Sequence, residues 1–403
     1  MDDRHTRIVG TGMYDAVIVG LGGMGSAALA HIARRKRRVL GLEQLTAGHE
    51  LGASAGHSRI IRKAYFEDPA YVPLLLRAYE LWRELEVQSG SQVLDLTGIV
   101  MVGRAGSASI AGALRSAREH GLALEELDAA DVAARYRSLR LTGEEVALFE
   151  RDAGMVFPEL AIAAHLRVAA AGGAEMRYET HVTGIEPGRD GIAVGLSDGS
   201  TIVTERLAIC AGPWLASLVP QLQLPLRVQR NVQMWFEPLT DAYARSTFPV
   251  FFVERRAEWA APLYGFPDYG LGVKAAFHAY GDETTPATLD RTIHARDVEP
   301  VRRALDDFMP GAAGRVLGGK ACMYTLTPDE HFAIDMHPHD DRIVIAGGFS
   351  GHGFKFCSVV GEIIADLLTR GETAHPIGFL RFDRLRLAVD SRISAPAHPG
   401  LSA

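Results

Sequence analysis

A chain of 403 residues with 47% hydrophobic and 23% charged side chains has an ordinary soluble, globular composition, and its length predicts two packed domains. A net charge of −7 and an isoelectric point near 6.1 exclude a general nucleic-acid surface. No apolar run reaches the roughly 18 residues of a membrane span.

Residues 1–13 read as a loose leader without the basic-then-apolar pattern of a signal peptide. A β-branched run at 16–19 predicts the first strand, and a good helix former follows at 26–35. Between them stands Gly20-Leu21-Gly22-Gly23-Met24-Gly25, a GxGxxG that opens a helix directly after a strand. A second strand at 38–42 ends in Glu43, 23 residues after Gly20. In such an arrangement Gly20 permits the tight turn, Gly22 admits a pyrophosphate and Gly25 lets the helix pack on the strand. The helix N-terminus offers N–H groups to phosphates, and Glu43 accepts the adenosine ribose hydroxyls. Strand, glycines, helix, strand and acid in this order predict a dinucleotide site. The basic run Arg34-Arg35-Lys36-Arg37-Arg38 falls where that helix ends and reads as a solvated terminus, not a targeting signal.

Arg59 and Arg62 follow, three apart in the otherwise apolar GHSRIIRKAY. Residues 175–186 and IAVGLSDGSTIVTERLAICAG read as strands with a hairpin at Ser197-Asp198-Gly199-Ser200. The last strand ends in Cys210-Ala211-Gly212. It resembles the strand-then-glycine element that brings a second backbone segment to the cofactor in many FAD enzymes, and it favours FAD over NAD. QRNVQMWFEP and PVFFVE predict strands of a substrate-covering domain, with residues 230–236 placing bulky groups beside the substrate. In LYGFPDYGLGVKAAFH, alternation puts Lys274, Ala276 and His278 on one face of a strand. In ACMYTLTPDEHFAID, Cys322 and Tyr324 share one side of a strand at 322–326, before a Thr-Pro-Asp turn. A strand at 342–346, the run GGFSGHGFKF and a helix at 358–368 offer further N–H groups at a helix N-terminus.

Cys210, Cys322 and Cys357 are odd in number, far apart and without CxxC spacing. That excludes a disulfide framework and a cysteine zinc site and suits a reducing, cytoplasmic setting. Cys210 and Cys357 read as core residues. His331, His337 and His339 flank a turn without a supporting acid pattern, so no metal site is expected. No internal repeat is present, and the tail from Ser391, rich in Pro, Ala and Ser, reads as loose.

Five motifs in order, VGLGGMGSAALAHIARR, SRIIRKAYFEDPAYVPLLLRAYELWRELE, LYGFP with GVKAAFH, ACMYTLTPDEHFAID and GFSGHGFKF, carry a family resemblance. From about residue 14 to 385 the chain resembles monomeric sarcosine oxidase and its relatives, including N-methyltryptophan and pipecolate-type oxidases. These are flavoenzymes of the D-amino-acid-oxidase-like fold. The resemblance implies an α/β protein: a doubly wound, Rossmann-like FAD-binding domain with a second, mixed β-sheet (α+β) substrate domain. The first is expected over residues 1–87, 146–221 and 319–390, the second over 88–145 and 222–318, with a loose tail at 391–403.

It further implies a thioether between Cys322 and the flavin 8α-methyl group, with Tyr324 beside the link. Arg59 lies over the flavin ring, and Gly351 and Gly353 give N–H groups to its pyrimidine edge. Arg62 and Lys355 hold the substrate carboxylate, and Tyr264 touches the substrate. His278 biases the amine's protonation, Lys274 promotes reaction with O2, and His352 is a donor or structural. The reaction implied is oxidation of the C–N bond of a secondary amino acid such as sarcosine, the imine hydrolysing and O2 becoming H2O2. A monomer, acting on a small amino acid and O2, is the family expectation. Ser54-Ala55-Gly56-His57-Ser58 departs from the family, which has histidines and acids there, so the roof of the site is left open. Oxidation of a cyclic imino acid, an FAD dehydrogenase serving a carrier, and a non-catalytic flavoprotein stay as alternatives. The carboxylate pair argues against the last.

Overall fold

The computed structural model describes residues 7–8, 12–35, 38–255 and 259–385. Its first sheet is built on Tyr14–Val19. Val39–Leu42 lies parallel on one side, with Glu175–Arg177 beyond it. Ser200–Ile209 and then Asp340–Gly347 lie parallel on the other. Such strands carry apolar side chains on both faces because both faces are covered. Gly23–Ala33, packed between Pro158–Ala171 and Cys357–Arg370, covers one face. Val182, Ile192 and Val194 of the hairpin strands Val182–Gly188 and Gly191–Leu196 belong to the core on the other.

The first helix begins at Gly23, three residues before the expected start, with Gly22 as its cap. The missing side chain of Gly25 explains this: a Cβ there would lie 1.7 Å from the Gly20 carbonyl oxygen. The glycine loop is thereby drawn into the helix's first turn. The basic run does more than face solvent. Arg35 donates to Asp366 and Thr369 of the last helix, and the Arg38 guanidinium lies 4.4 Å from the Tyr14 ring. Lys36 and Arg37 lie outside the described residues.

The second sheet runs Val316–Leu326, Arg227–Phe236, Val273–Phe277, Leu263–Phe266, Val250–Glu254, Ile99–Arg104, Glu145–Glu150 and Glu125–Leu127. Val250–Glu254 and Ile99–Arg104 are parallel, and the other neighbours are antiparallel. The amphipathic helix Ala295–Phe308 buries Val301, Leu305 and Phe308 in the core of this domain. The boundaries expected at 145/146 and 318/319 fall inside Glu145–Glu150 and Val316–Leu326, which both hydrogen-bond into this sheet. A change of composition along a chain does not show which neighbour a strand pairs with.

The tail from Ser391 and most of the leader lie outside the described residues. Arg7–Ile8 pairs in parallel with Ser200 and Thr201. Among the described residues no helix is long and apolar enough to cross a membrane.

Gly25→Ala should destabilise the cofactor-free protein by about 3 kcal/mol, because the backbone oxygen it meets cannot move aside. Gly22→Ala, whose Cβ would meet nothing closer than 3.9 Å, should stay within about 0.5 kcal/mol. Urea unfolding of both variants checks the contrast.

Candidate active site

One cavity of about 970 Å³ is bordered by loops of the first sheet and strands of the second. Gly20, Gly22, Glu43, Arg59, Arg62, Gly212, Tyr264, His278, Tyr324, Gly351, Gly353 and Lys355 all line it. Gly25, Lys274 and Cys322 do not. Gly20 has φ +89°, and a Cβ there would meet the Cys210 carbonyl oxygen at 2.5 Å. A Cβ on Gly351 would press into the Tyr324 ring, 2.1 Å away. Glu43 stands at the end of its strand and accepts the N–H groups of Leu21 (2.9 Å) and Leu45 (3.1 Å). Burial opposes its charge, but hydrogen bonds from His49, Leu21 and Leu45 outweigh it and hold the carboxyl below its usual range.

Residues 53–58 form a roof folded around two cations. Arg59 donates to the carbonyl oxygens of Ala55 (2.6 Å), Ser58 (2.8 Å) and Ala53 (3.1 Å). Lys274 has no exposed surface, and its Nζ donates to the carbonyl oxygens of Gly56 (2.6 Å) and Ser58 (2.8 Å) and to Ser58 Oγ (3.2 Å). Burial, then Arg59, pushes this lysine well below its ordinary range. Glu159 accepts the N–H groups of Gly56 (2.8 Å) and His57 (3.1 Å) from outside the loop. Lys274 and His278 therefore face different surroundings. The strand ends at Phe277, so the alternation expected to join them stops before His278. Behind the roof, Gln233 donates from Nε2 to Cys322 Sγ at 3.1 Å.

Arg62 and Lys355, far apart in sequence, converge at the other part of the cavity. Both are buried. Arg62 donates to the Ala64 carbonyl (2.9 Å) and to Glu67 Oε2 (2.6 Å), with its guanidinium 4.1 Å from the Phe66 ring. Burial opposes charge on Glu67, but Arg62 above all overcomes it and holds the carboxyl at about 2. Lys355 donates to the His352 carbonyl at 2.7 Å. Burial and then Arg62 push it down to about 7, with Glu67 pulling the other way. The rings of Tyr264, Tyr324 and Phe252 surround His278 at 5.7–6.3 Å, and burial holds that imidazole down at about 4. The Tyr264 and Tyr324 hydroxyls share a hydrogen bond. His352 borders the cavity, but its ring nitrogens are taken by Tyr65 Oη and the Glu330 carbonyl.

Residues 230–236 do not line the cavity. Arg230 instead pairs with Asp297 (2.8 and 2.9 Å), and Trp235 packs near Lys274. The bulky groups at this end are Phe66 and Phe252. Glu67, Glu159 and Gln233 were not singled out from sequence. Glu67 sat in view, five residues after Arg62. Gln233 and Glu159 carry no local signal, because only the fold brings them to the roof.

Residues 15–367 match the model of the FAD dependent oxidoreductase family. The chain is 46% identical to monomeric sarcosine oxidase of Streptomyces avermitilis, over 93% of this chain and 98% of that one. It is 36% identical to monomeric sarcosine oxidase of Arthrobacter sp., covering 92% and 96%. With N-methyl-L-tryptophan oxidase of Citrobacter koseri it shares 35% identity over 88% and 94%. Among solved structures, the open form of NikD, an unusual amino acid oxidase essential for nikkomycin biosynthesis, matches with a TM-score of 0.82 and 25% identity, covering 92% and 98%. Glycine oxidase of Geobacillus kaustophilus shares the fold, with a TM-score of 0.77 at 21% identity over 92% and 98%.

The residues present fit FAD. Side chains on Gly20 or Gly25 would strike the backbone and distort the glycine loop, the first turn of Gly23–Ala33 borders the cavity with N–H groups that have no helical acceptor, and Glu43 stands beside it.

His31, His165, His278 and His352 are held neutral by burial, at about 4, 3, 4 and 3. Each lies below the unfolded value of about 6.5, so the unfolded chain binds more protons in between. Stability should therefore fall as pH drops from about 6.5 toward 4, by up to about 1.4 kcal/mol per pH unit for each histidine. Urea titrations at pH 6.5 and 4.5 measure that slope, and His278→Phe should remove about one proton's share of it. An unchanged slope in the variant would mean that His278 titrates normally in the folded protein.

Proposed function

We infer the reaction of this chain from the family to which it belongs, the FAD-dependent oxidoreductases, among which it is sarcosine-oxidase-like. It oxidises the C–N bond of a secondary, N-methyl amino acid such as sarcosine, acting as a single chain. The imine hydrolyses in water and O2 becomes H2O2. The observation that carries this reading is the convergence of buried Arg62 and Lys355, beside His278 and Tyr264, on the cavity that also holds the dinucleotide cradle.

Bound FAD supplies the two-electron acceptor and returns the electrons to O2. Arg62, a planar fork, and Lys355 bind the substrate carboxylate, and Arg62 then shares or exchanges its bond to Glu67. Fixing the carboxylate orients the neighbouring C–H bond, which is where much of the rate enhancement arises. His278, held neutral, adds no positive charge beside the amine, and Tyr264 closes that side with its ring. Lys274 and Arg59 set a positive field across the roof, which favours negative charge developing on O2.

Cys322 is the attachment point of the flavin through a thioether. What supports this role is its place in the strand, where its neighbours Met323 and Tyr324 border the cavity.

Anaerobic addition of sarcosine should bleach the flavin, and a panel of N-methyl and cyclic amino acids ranks the substrate class. If none bleached it, the reading would fail. Lys355 must be protonated to hold a carboxylate, so affinity for acetate as a non-oxidisable probe should fall above about pH 7, by up to tenfold per unit. Lys355→Met should bind acetate more weakly and lose that dependence. Acid-precipitated protein should stay yellow, and Cys322→Ser should release its colour; a white wild-type pellet would refute the link.

A further inference from the structure

Gln233 is a polar side chain with almost no exposure (1%), followed along its strand by the buried apolar Met234, Trp235 and Phe236. Its Oε1 lies 3.4 Å from Arg59 Nη1 and its Nε2 lies 3.1 Å from Cys322 Sγ. The amide cannot be turned round. A guanidinium has no acceptor, so the oxygen must face Arg59 and the N–H must face the sulfur. Room is kept for it as well: a Cβ on Gly56 would meet Oε1 at 2.5 Å. One buried amide thus ties the arginine of the roof to the thiol behind the wall.

We propose that Gln233 is a positioning residue for cofactor attachment, holding the Cys322 sulfur with an N–H donor that favours its thiolate form. This rests on the reading of Cys322 as the attachment point. The thiolate is the reactive form of cysteine, and an N–H donor on the sulfur favours it where burial alone would oppose it. Other titratable groups influencing the sulfur are Lys274, Tyr264 and Tyr324, with Arg59 beyond Gln233. Lys320, two residues along the strand, is held by Glu50 at 2.6 Å. Attachment forms a C–S bond and breaks the S–H bond and one C–H bond of the 8α-methyl group. The two protons and two electrons released convert O2, the co-reactant of the proposed activity, to H2O2.

The test follows the yellow colour that stays with acid-precipitated full-length protein, after FAD is added to chain produced without flavin. Gln233→Glu keeps the size and the Arg59 contact but replaces the donor with a carboxylate that repels a thiolate. Its attachment rate should fall at least tenfold, and the pH profile of attachment should move up by about one unit. Gln233→Met, of similar volume and without a donor, should also be slow. Circular dichroism and gel filtration confirm that each variant is folded. Attachment by Gln233→Glu at the wild-type rate, with an unmoved profile, would overturn the proposal. A white wild-type pellet would overturn the reading of Cys322 and the proposal with it. A yellow wild type beside a normal Gln233→Glu would sink the proposal alone.

Discussion

The carbonyl oxygens of residues 53–58 are turned inward onto two cations, and the placement of the site follows from that constraint. A fully buried ammonium is costly unless its charge is met, and three oxygens of Gly56 and Ser58 meet that of Lys274. Turning these carbonyls inward points the Gly56 and His57 N–H groups the other way, where Glu159 accepts both. The backbone can make the turn because Gly56 has φ +121°, and His57 is itself held at φ +64°. Lys274 belongs to the second sheet and the loop follows a strand of the first. The same contact therefore fastens the two domains together over the cavity and sets the direction of Arg59.

Charge at the substrate end is balanced before any ligand arrives. Arg62 and Glu67 cancel, His278 and His352 are held neutral, and Lys355 is poised near neutrality. For the carboxylate proposed to bind here, the matching charge is most cheaply supplied by a proton on Lys355. A lysine with its ordinary affinity for protons would already be charged, and its burial would burden the empty site. A lysine near neutrality spreads that cost over the binding event.

The parts of the site that were legible in the sequence are those whose chemistry is local. GxGxxG after a strand, Glu43 at the end of the next strand and the glycines of GFSGHGFKF stand where their spacing put them. Arg62 and Lys355 came from the family resemblance, since no spacing rule joins residues so distant. Gln233 and Glu159 were invisible for a related reason: each reaches the roof only through pairing that the linear chain does not display. The strand around residues 230–236 shows the limit clearly. Its bulky side chains suggested a substrate wall, but Arg230 is drawn to Asp297 and Trp235 to the neighbourhood of Lys274, so Phe66 and Phe252 border the cavity instead. Two of the expected domain boundaries fall inside strands of the second sheet for the same reason, since strand partnership is not displayed along the chain.

Helix Val72–Ser89 shows how one of the two buried cations, Lys355, is held in place. Arg62 lies well before it, one residue past the strand Arg59–Ile61, and the N–H groups that follow, at Lys63 and Ala64, are fixed by the buried Glu150. Lys355 is fastened to it directly: Trp82 Nε1 donates to the Lys355 carbonyl at 2.9 Å, and Ser358 Oγ donates to the Ala78 carbonyl at 3.1 Å. The helix thus fixes the backbone segment that carries Lys355 and the start of the last helix. Trp82, fully buried, touches no part of the cavity, yet it fixes the backbone from which Lys355 projects. Positioning that accounts for much of the expected rate can thus depend on a side chain one layer outside the site.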